Sequence, residues 1–243
     1  MIIDILTLFP EIIDSYINSS IIKRAKESGL VTINVHDFRQ FATNKTHHVD
    51  DYSYGGGAGM IIEVKPIVDC LKSIDGYDRA FKILTSPVGT TYSQDLAVKL
   101  SKIDHIIIVC GHYEGIDDRI SYYIDEKVSI GDYILTGGEI ASLAILDSVI
   151  RLIPDVISEE STDVESFNDN LLEYPQYTRP IEFDGHKVPE VLLSGNHENI
   201  RKWRRFMSIK TTYENRPDLL EKVELTKEDI KFLSLIKEGK ELW

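Results

Sequence analysis

The 243-residue sequence contains only two cysteines, Cys70 and Cys110, and neither stands in a C-x-x-C pair or beside a histidine cluster. A disulfide scaffold and a standard structural zinc site are thereby excluded, and the pattern fits a reducing cytoplasm. Long apolar runs are also missing. The densest, such as residues 106–110, are strand-sized, far below the ~18 residues a membrane span needs, so no membrane partner is expected. The opening MIIDILTLFPEII carries Asp4 early and has neither a basic region nor a small-residue cleavage site, so it is not expected to act as a signal peptide. The glycines at 55–59 lack the G-x-G-x-x-G register, and neither G-x-x-x-x-G-K-[ST] nor G-x-S-x-G occurs. No dinucleotide fold, phosphate cradle or hydrolase serine is therefore indicated. The 7 histidines are scattered, with His47 and His48 the only adjacent pair, which does not indicate a metal centre.

Positive charge is scarce overall, with 27 Lys+Arg against 40 Asp+Glu and a formal net charge of -13. The deficit is uneven. Residues 186–243 hold 12 basic and 10 acidic side chains, whereas residues 1–185 hold 15 and 30. The total therefore says little about any one surface, and a nucleic-acid partner is not excluded.

What is present reads as α/β. Residues 2–9, 31–38, 80–84, 105–110 and 127–130 are strand candidates, and residues 10–26, 93–101 and 114–124 are helical candidates between them. Such alternation favours a mostly parallel sheet with both faces covered. Residues 138–153 form a helix that is apolar almost all round, which implies burial on nearly every side and, late in a modest domain, against a second subunit. Residues 155–180 then carry seven acids, no lysine and a Pro at 175 and 180, a linker composition. From Ser194 onward the pattern is helical. Ile200, Trp203 and Met207 make an apolar face, Trp203 reading as core, and Arg201, Arg204, Arg205 and Ser208 make a cationic stripe beside it.

Three glycine-bearing segments follow strand candidates: SPVG at 86–89, GHYEG at 111–115 and SIGDYILTGG at 129–138. Each alone reads as a turn or helix cap. In a parallel sheet, however, the carboxyl ends of strands share one edge, so together the three can line a crevice for a small molecule. Glycine lets a ligand approach the backbone closely and meet its free N–H and C=O groups. Arg151 reads on spacing alone as the i,i+4 partner of Asp147.

Read as a set, GGGAGM (55–60), LTSPVG (84–89), VCGHYEGIDDRI (109–120), SIGDYILTGGE (129–139), LDSVIRLIP (146–154), ESF with LLEYPQYTRP (165–180), VPEVLLSGNH (188–197) and IRKWRR (200–205) stand in the order found in bacterial tRNA (guanine-N1)-methyltransferases. The chain closely resembles that family over nearly its whole length. The resemblance implies a SPOUT-class α/β fold, a mostly parallel sheet with helices on both faces and a deep C-terminal trefoil knot. It also implies a methyltransferase domain at 1–155, a linker at 156–185 and a small all-helical tRNA-binding domain at 186–243.

The activity implied is methyl transfer from S-adenosyl-L-methionine to N1 of guanosine 37 in tRNA, where guanosine 36 precedes it, by a cytoplasmic homodimer whose active site is shared between subunits. The cofactor would be surrounded by Leu84, Ser86, Pro87, Gly111, Tyr113, Glu114, Ile130, Gly131, Asp132, Tyr133, Ile134, Leu135, Gly137 and Gly138. The family is helped by magnesium (Mg2+), for which no site is indicated. Guanine N1 carries a proton, so a carboxylate must take it as the methyl arrives, and a guanidinium near O6 would stabilise the charge that develops. The family's arginine in I-R-x-I-P corresponds to Arg151, which turns that residue from helix partner to candidate catalytic group. Its base is an Asp just before Ser-Phe. Here Glu165 stands there and the stretch after Arg151 is one residue shorter, so Glu165 is the candidate base and Asp163 the second. Arg201, Lys202, Arg204 and Arg205 are the candidates for tRNA backbone contact. A SPOUT methyltransferase acting on another RNA, and a non-catalytic RNA-binding dimer, are the alternatives.

Overall fold

The computed structural model describes residues 1–157, 166–167 and 170–242. The chain divides into two compact units, Met1–Ser158 and Glu159–Trp243. In the first, the strands are β1 (Ile2–Thr7), β2 (Thr32–Asp37), the two-residue β3 (Asp50–Asp51) and β4 (Ile61–Ile62), β5 (Phe81–Thr91), β6 (His105–Val109) and β7 (Glu126–Ser129), with β-branched residues dominating β1 and β6. Five of them make one sheet in the order β2-β1-β6-β5-β7, with every neighbouring pair parallel. The helices are α1 (Pro10–Ile17), α2 (Ser20–Glu27), α3 (Val64–Ser73), α4 (Gln94–Leu100) and α5 (Glu139–Ile150).

The period-2 alternation of the strands splits the core between the two faces of the sheet. Ile106, Ile108 and Cys110 join Ile13, Ile17, Leu100 and Ile145 on one side. Ile107 and Val109 join Phe38, Ile67, Leu71 and Ile120 on the other. Burying an Ile or Leu is worth roughly 1.5–3 kcal/mol, so strands apolar on both faces are stable only between two covering layers. Asp4 interrupts the pattern. It is 2% exposed, and its carboxylate accepts from His36 Nε2 and His105 Nε2, each at 2.6 Å, and from Asn34 Nδ2 at 3.0 Å. Burial alone would raise its pKa, but bonds from the two imidazoles and the amide outweigh burial and hold it below the usual carboxylate value.

Several expectations are corrected. The single helix over 10–26 is two, because Asn18 and Ser19 turn their side chains onto the carbonyls of Asp14 and Tyr16 and compete with helix continuation. The helix over 114–124 is a 3-10 turn at Asp118–Tyr123, opened by Asp117 accepting from the Arg119 N–H. β5 runs on past Leu84 to Thr91, and α3 was not anticipated at all. Within this unit α5 is not covered on nearly every side: Ile140 is 58% exposed and Ala144 is also open.

In the second unit, β8 (Glu182–Phe183) and β9 (His186–Lys187) pair antiparallel about Asp184 and Gly185, whose φ values of 49° and 82° fit a two-residue hairpin turn. The turn lies in the expected linker, and β9 is a departure from the all-helical expectation for residues 186–243. Helices α6 (Glu190–Leu193), α7 (His197–Asn215), α8 (Pro217–Leu220) and α9 (Lys227–Lys237) follow. Asn196 caps α7, and Thr226 with Asp229 forms a reciprocal capping box on α9. Phe206 and Ile209 of α7 pack with Phe232 of α9 and with Leu171, and Trp203 is 6% exposed, in the core as its spacing indicated.

Candidate functional site

The first unit contains a cavity of about 540 Å³ at the carboxyl ends of β6 and β7 and beside the middle of β5. All the cofactor candidates named above line it except Asp132, whose exposed side chain is not part of the wall. Leu84, Ser86 and Pro87 come from β5; Gly111, Tyr113 and Glu114 follow β6; Ile130, Gly131, Tyr133, Ile134, Leu135, Gly137 and Gly138 follow β7. The geometry of β5 explains the first group. Thr85 and Thr90 both register with Val128, so the intervening residues leave the sheet and return, and Ser86–Val88 projects into the cavity. Gly138 lets the third loop close on the second: a Cβ there would lie 2.2 Å from Thr85 Oγ1 and 2.8 Å from the Gly111 nitrogen. Tyr113 stands at the rim, 48% exposed, with a left-handed φ of 57° that non-glycine residues adopt at a cost.

Sequence reading missed Thr85, His112, Asp118 and Lys127, which also line the cavity. His112 lay inside the GHYEG motif and was passed over because an isolated histidine carries no spacing signal. Lys127 donates to Asp118 Oδ1 at 2.9 Å, and that bond holds the Asp118 carboxyl below its usual range. Neither cysteine offers a thiolate. Burial pushes Cys70 up to about 12 and Cys110 higher still, so covalent catalysis through sulfur has no candidate among the described residues.

Arg151 caps the C-terminus of α5, its N–H donating to the Asp147 carbonyl at 3.2 Å. The Asp147 carboxylate accepts from the Tyr16 hydroxyl at 2.7 Å, a bond that pushes the phenol up to about 12. Glu165 and Asp163 lie outside the described residues. In the second unit the four cationic candidates differ. Arg205 is bidentate on Asp229, Nε and Nη2 donating at 2.8 and 2.9 Å to a carboxylate 2% exposed. Burial would raise the Asp229 pKa, but Arg205 and the Thr226 bonds hold it low. Arg201 donates to Glu198 and Glu228, and Lys202 pairs with Glu198 at 3.3 Å. The Arg201 and Lys202 bonds hold Glu198 down at about 2. Arg204 is exposed and lies over the Tyr174 ring, 5.1 Å from its centroid.

Residues 1–222 match the family described as tRNA (Guanine-1)-methyltransferase TrmD. The chain belongs to this family. It is 54% identical over 234 residues to the tRNA (guanine-N(1)-)-methyltransferase of Clostridium perfringens strain SM101, covering 96% of this chain and 99% of that protein. It is 51% identical over 243 residues to the protein of the same name from Sulfurihydrogenibium sp. strain YO3AOP1, with 99% and 96% covered. It is 48% identical over 241 residues to that of Macrococcus caseolyticus, with 99% and 100% covered. The family match takes in the cavity, Arg151 and α7 together, and ends before α9, which supplies Asp229 to Arg205.

Proposed function

We propose that the protein transfers a methyl group from S-adenosylmethionine to N1 of guanosine 37 in tRNA, in the G36–G37 context. The observation that carries this is the cavity: three glycine-bearing segments, one the detour within β5 and two the loops after β6 and β7, presenting backbone groups and apolar side chains, in a chain of this family. Such a wall suits an adenosine, whose ring needs an apolar slot and whose edge needs hydrogen bonds. S-adenosylmethionine supplies an activated sulfonium methyl, so the protein's own groups have three tasks. They hold the donor and the base in line. Glu165, or Asp163 in its place, removes the N1 proton. Arg151 stabilises the negative charge growing on O6. The target base must leave its stack, since N1 lies on its pairing edge.

Other parts of the reading follow. The detour of β5 at Val128, with the bridges Ile62–Ile116 and His112–Gly137, supports a SPOUT trefoil knot around the cavity. The apolar strip of Ile140 and Ala144 on α5 supports burial against a second copy, and hence a homodimer with a shared active site. Arg204, exposed and aligned by Tyr174, is the foremost candidate for tRNA contact among the four cations. Among the described residues no group of three or more His, Cys, Asp or Glu side chains could hold a metal ion, so magnesium is assigned no residues. No helix among them is long and apolar enough to cross a membrane. With tRNA as substrate, the cytoplasm is the assigned location. The test is transfer of labelled methyl from S-adenosylmethionine to unmodified tRNA carrying G or A at position 37. Label appearing only in the G form, at N1, is expected; label on a ribose, or equal label in both, overturns the reading.

A further inference from the structure

Behind the cavity wall lie polar groups that the methyl-transfer chemistry does not use. Glu139 opens α5 and is 4% exposed, and its Oε1 accepts from the Thr7 hydroxyl at 2.7 Å. Thr7 is fully buried at the end of β1, a strand that contributes nothing to the cavity lining. The bond spans 132 residues of sequence and ties the wall to the centre of the sheet. On the wall itself, a Cβ built on Gly137 would lie 2.3 Å from Glu139 Oε2 and 2.6 Å from His112 Cδ2. Carboxylate and imidazole therefore both fill the space a side chain would take at that Cα, which is possible only because the residue is glycine. The backbones of His112 and Gly137 are bridged antiparallel, and the Gly138 N–H donates to Gly111 O at 2.8 Å. The His112 ring is packed between Phe9, with centroids 4.9 Å apart, and the edge of Tyr113 at 5.2 Å. Its Nδ1 is buried and has no hydrogen-bond partner, so the ring acts here by shape.

Burying a carboxylate is costly and is retained where the geometry it fixes matters. We propose that Glu139 and His112 are positioning residues that clamp Gly137 and so fix the peptide groups the cavity presents to the methyl donor. The proposal rests on reading the cavity as the donor site. A carboxylate that merely steadied the start of α5 would affect melting and leave donor affinity alone.

The experiment is calorimetric titration of the full chain with S-adenosylmethionine, alongside thermal melting and tRNA binding. Glu139→Ala is expected to weaken donor binding about tenfold, because the buried hydrogen bond from Thr7 and the side chain packed on Gly137 are lost together. Glu139→Gln, whose amide oxygen still accepts from Thr7, is expected to recover to within about threefold of the parent. His112→Ala is expected to lose about tenfold and His112→Phe, which keeps the ring, to retain most of the affinity. Affinity for tRNA stays unchanged in all four. Should Glu139→Ala fail to fold, Thr7→Val removes the same bond with little change of shape and is expected to lose about fivefold. Donor binding within about twofold of the parent in Glu139→Ala, or in Thr7→Val where Glu139→Ala does not fold, overturns the clamp, whatever happens to melting. A parent protein that ignores the donor overturns the donor-site reading itself, and the clamp with it.

Discussion

The two units use their conspicuous residues in opposite ways. In the first, glycines and short loops that look like turns one at a time converge on a single cavity, where what they offer a ligand is backbone. In the second, the cations of α7 look like an RNA-binding stripe in sequence, yet Arg201, Lys202 and Arg205 are engaged by carboxylates of the same unit. A crevice made of main chain is insensitive to which neighbours are charged. A charged stripe is not, because each long side chain takes the nearest partner of opposite sign. Position along a helix therefore shows where a cation stands and leaves open what it is bound to.

The sharpest way to break this comparison is to separate Arg205 from Arg204. Arg205→Glu sets an acid against buried Asp229 and is expected to lower the unfolding free energy by about 3–5 kcal/mol in urea denaturation. Arg204→Ala is expected to leave stability alone, weaken tRNA binding about fivefold and make its salt dependence shallower by about one unit of slope. Equal effects of the two on stability would show that the stripe is one surface after all. In the first unit, Gly138→Ala drives a Cβ to 2.2 Å from Thr85 Oγ1 and is expected to cost about 100-fold in donor affinity, read by calorimetry, with tRNA binding intact. A further test within the sheet concerns Asp4. Its folded pKa is lowered, so its contribution is complete above the ordinary value of 3.8 and is lost as the pH falls below it. Asp4→Asn is expected to cost about 1–2 kcal/mol near neutrality and to flatten the acid limb of the stability profile, measured as urea midpoints between about pH 3 and 7.

The strands β1 and β6 were legible because apolar runs of strand length admit few other readings. α5 was legible as a helix by its length and as largely buried by its composition, and within this unit Ile140 is the side left open. α3 was overlooked because Pro66 interrupts its first turn, and the residues of β5 beyond Leu84 because Pro87 and Gly89 read as a turn. Their strand character comes from Val128 across the sheet. The cofactor candidates were placed by family resemblance and converge on the cavity, whereas the contacts of Glu139 and Arg205 were invisible. Thr7 and Asp229 stand 132 and 24 residues away, and pairing at such range is decided by topology rather than local pattern.

The shared partner of Thr85 and Thr90 carries one last implication. A stretch of chain that departs from and rejoins a ladder at the same rung has its length dictated by geometry. A residue added or deleted there must either be taken up by the excursion itself or turn Thr90 and Thr91 to the other face of the sheet. The return to the ladder is held just as tightly by Gly89, where a Cβ would lie 2.4 Å from the Val128 nitrogen, so neither the spacing nor that glycine is free to drift in descendants of this gene.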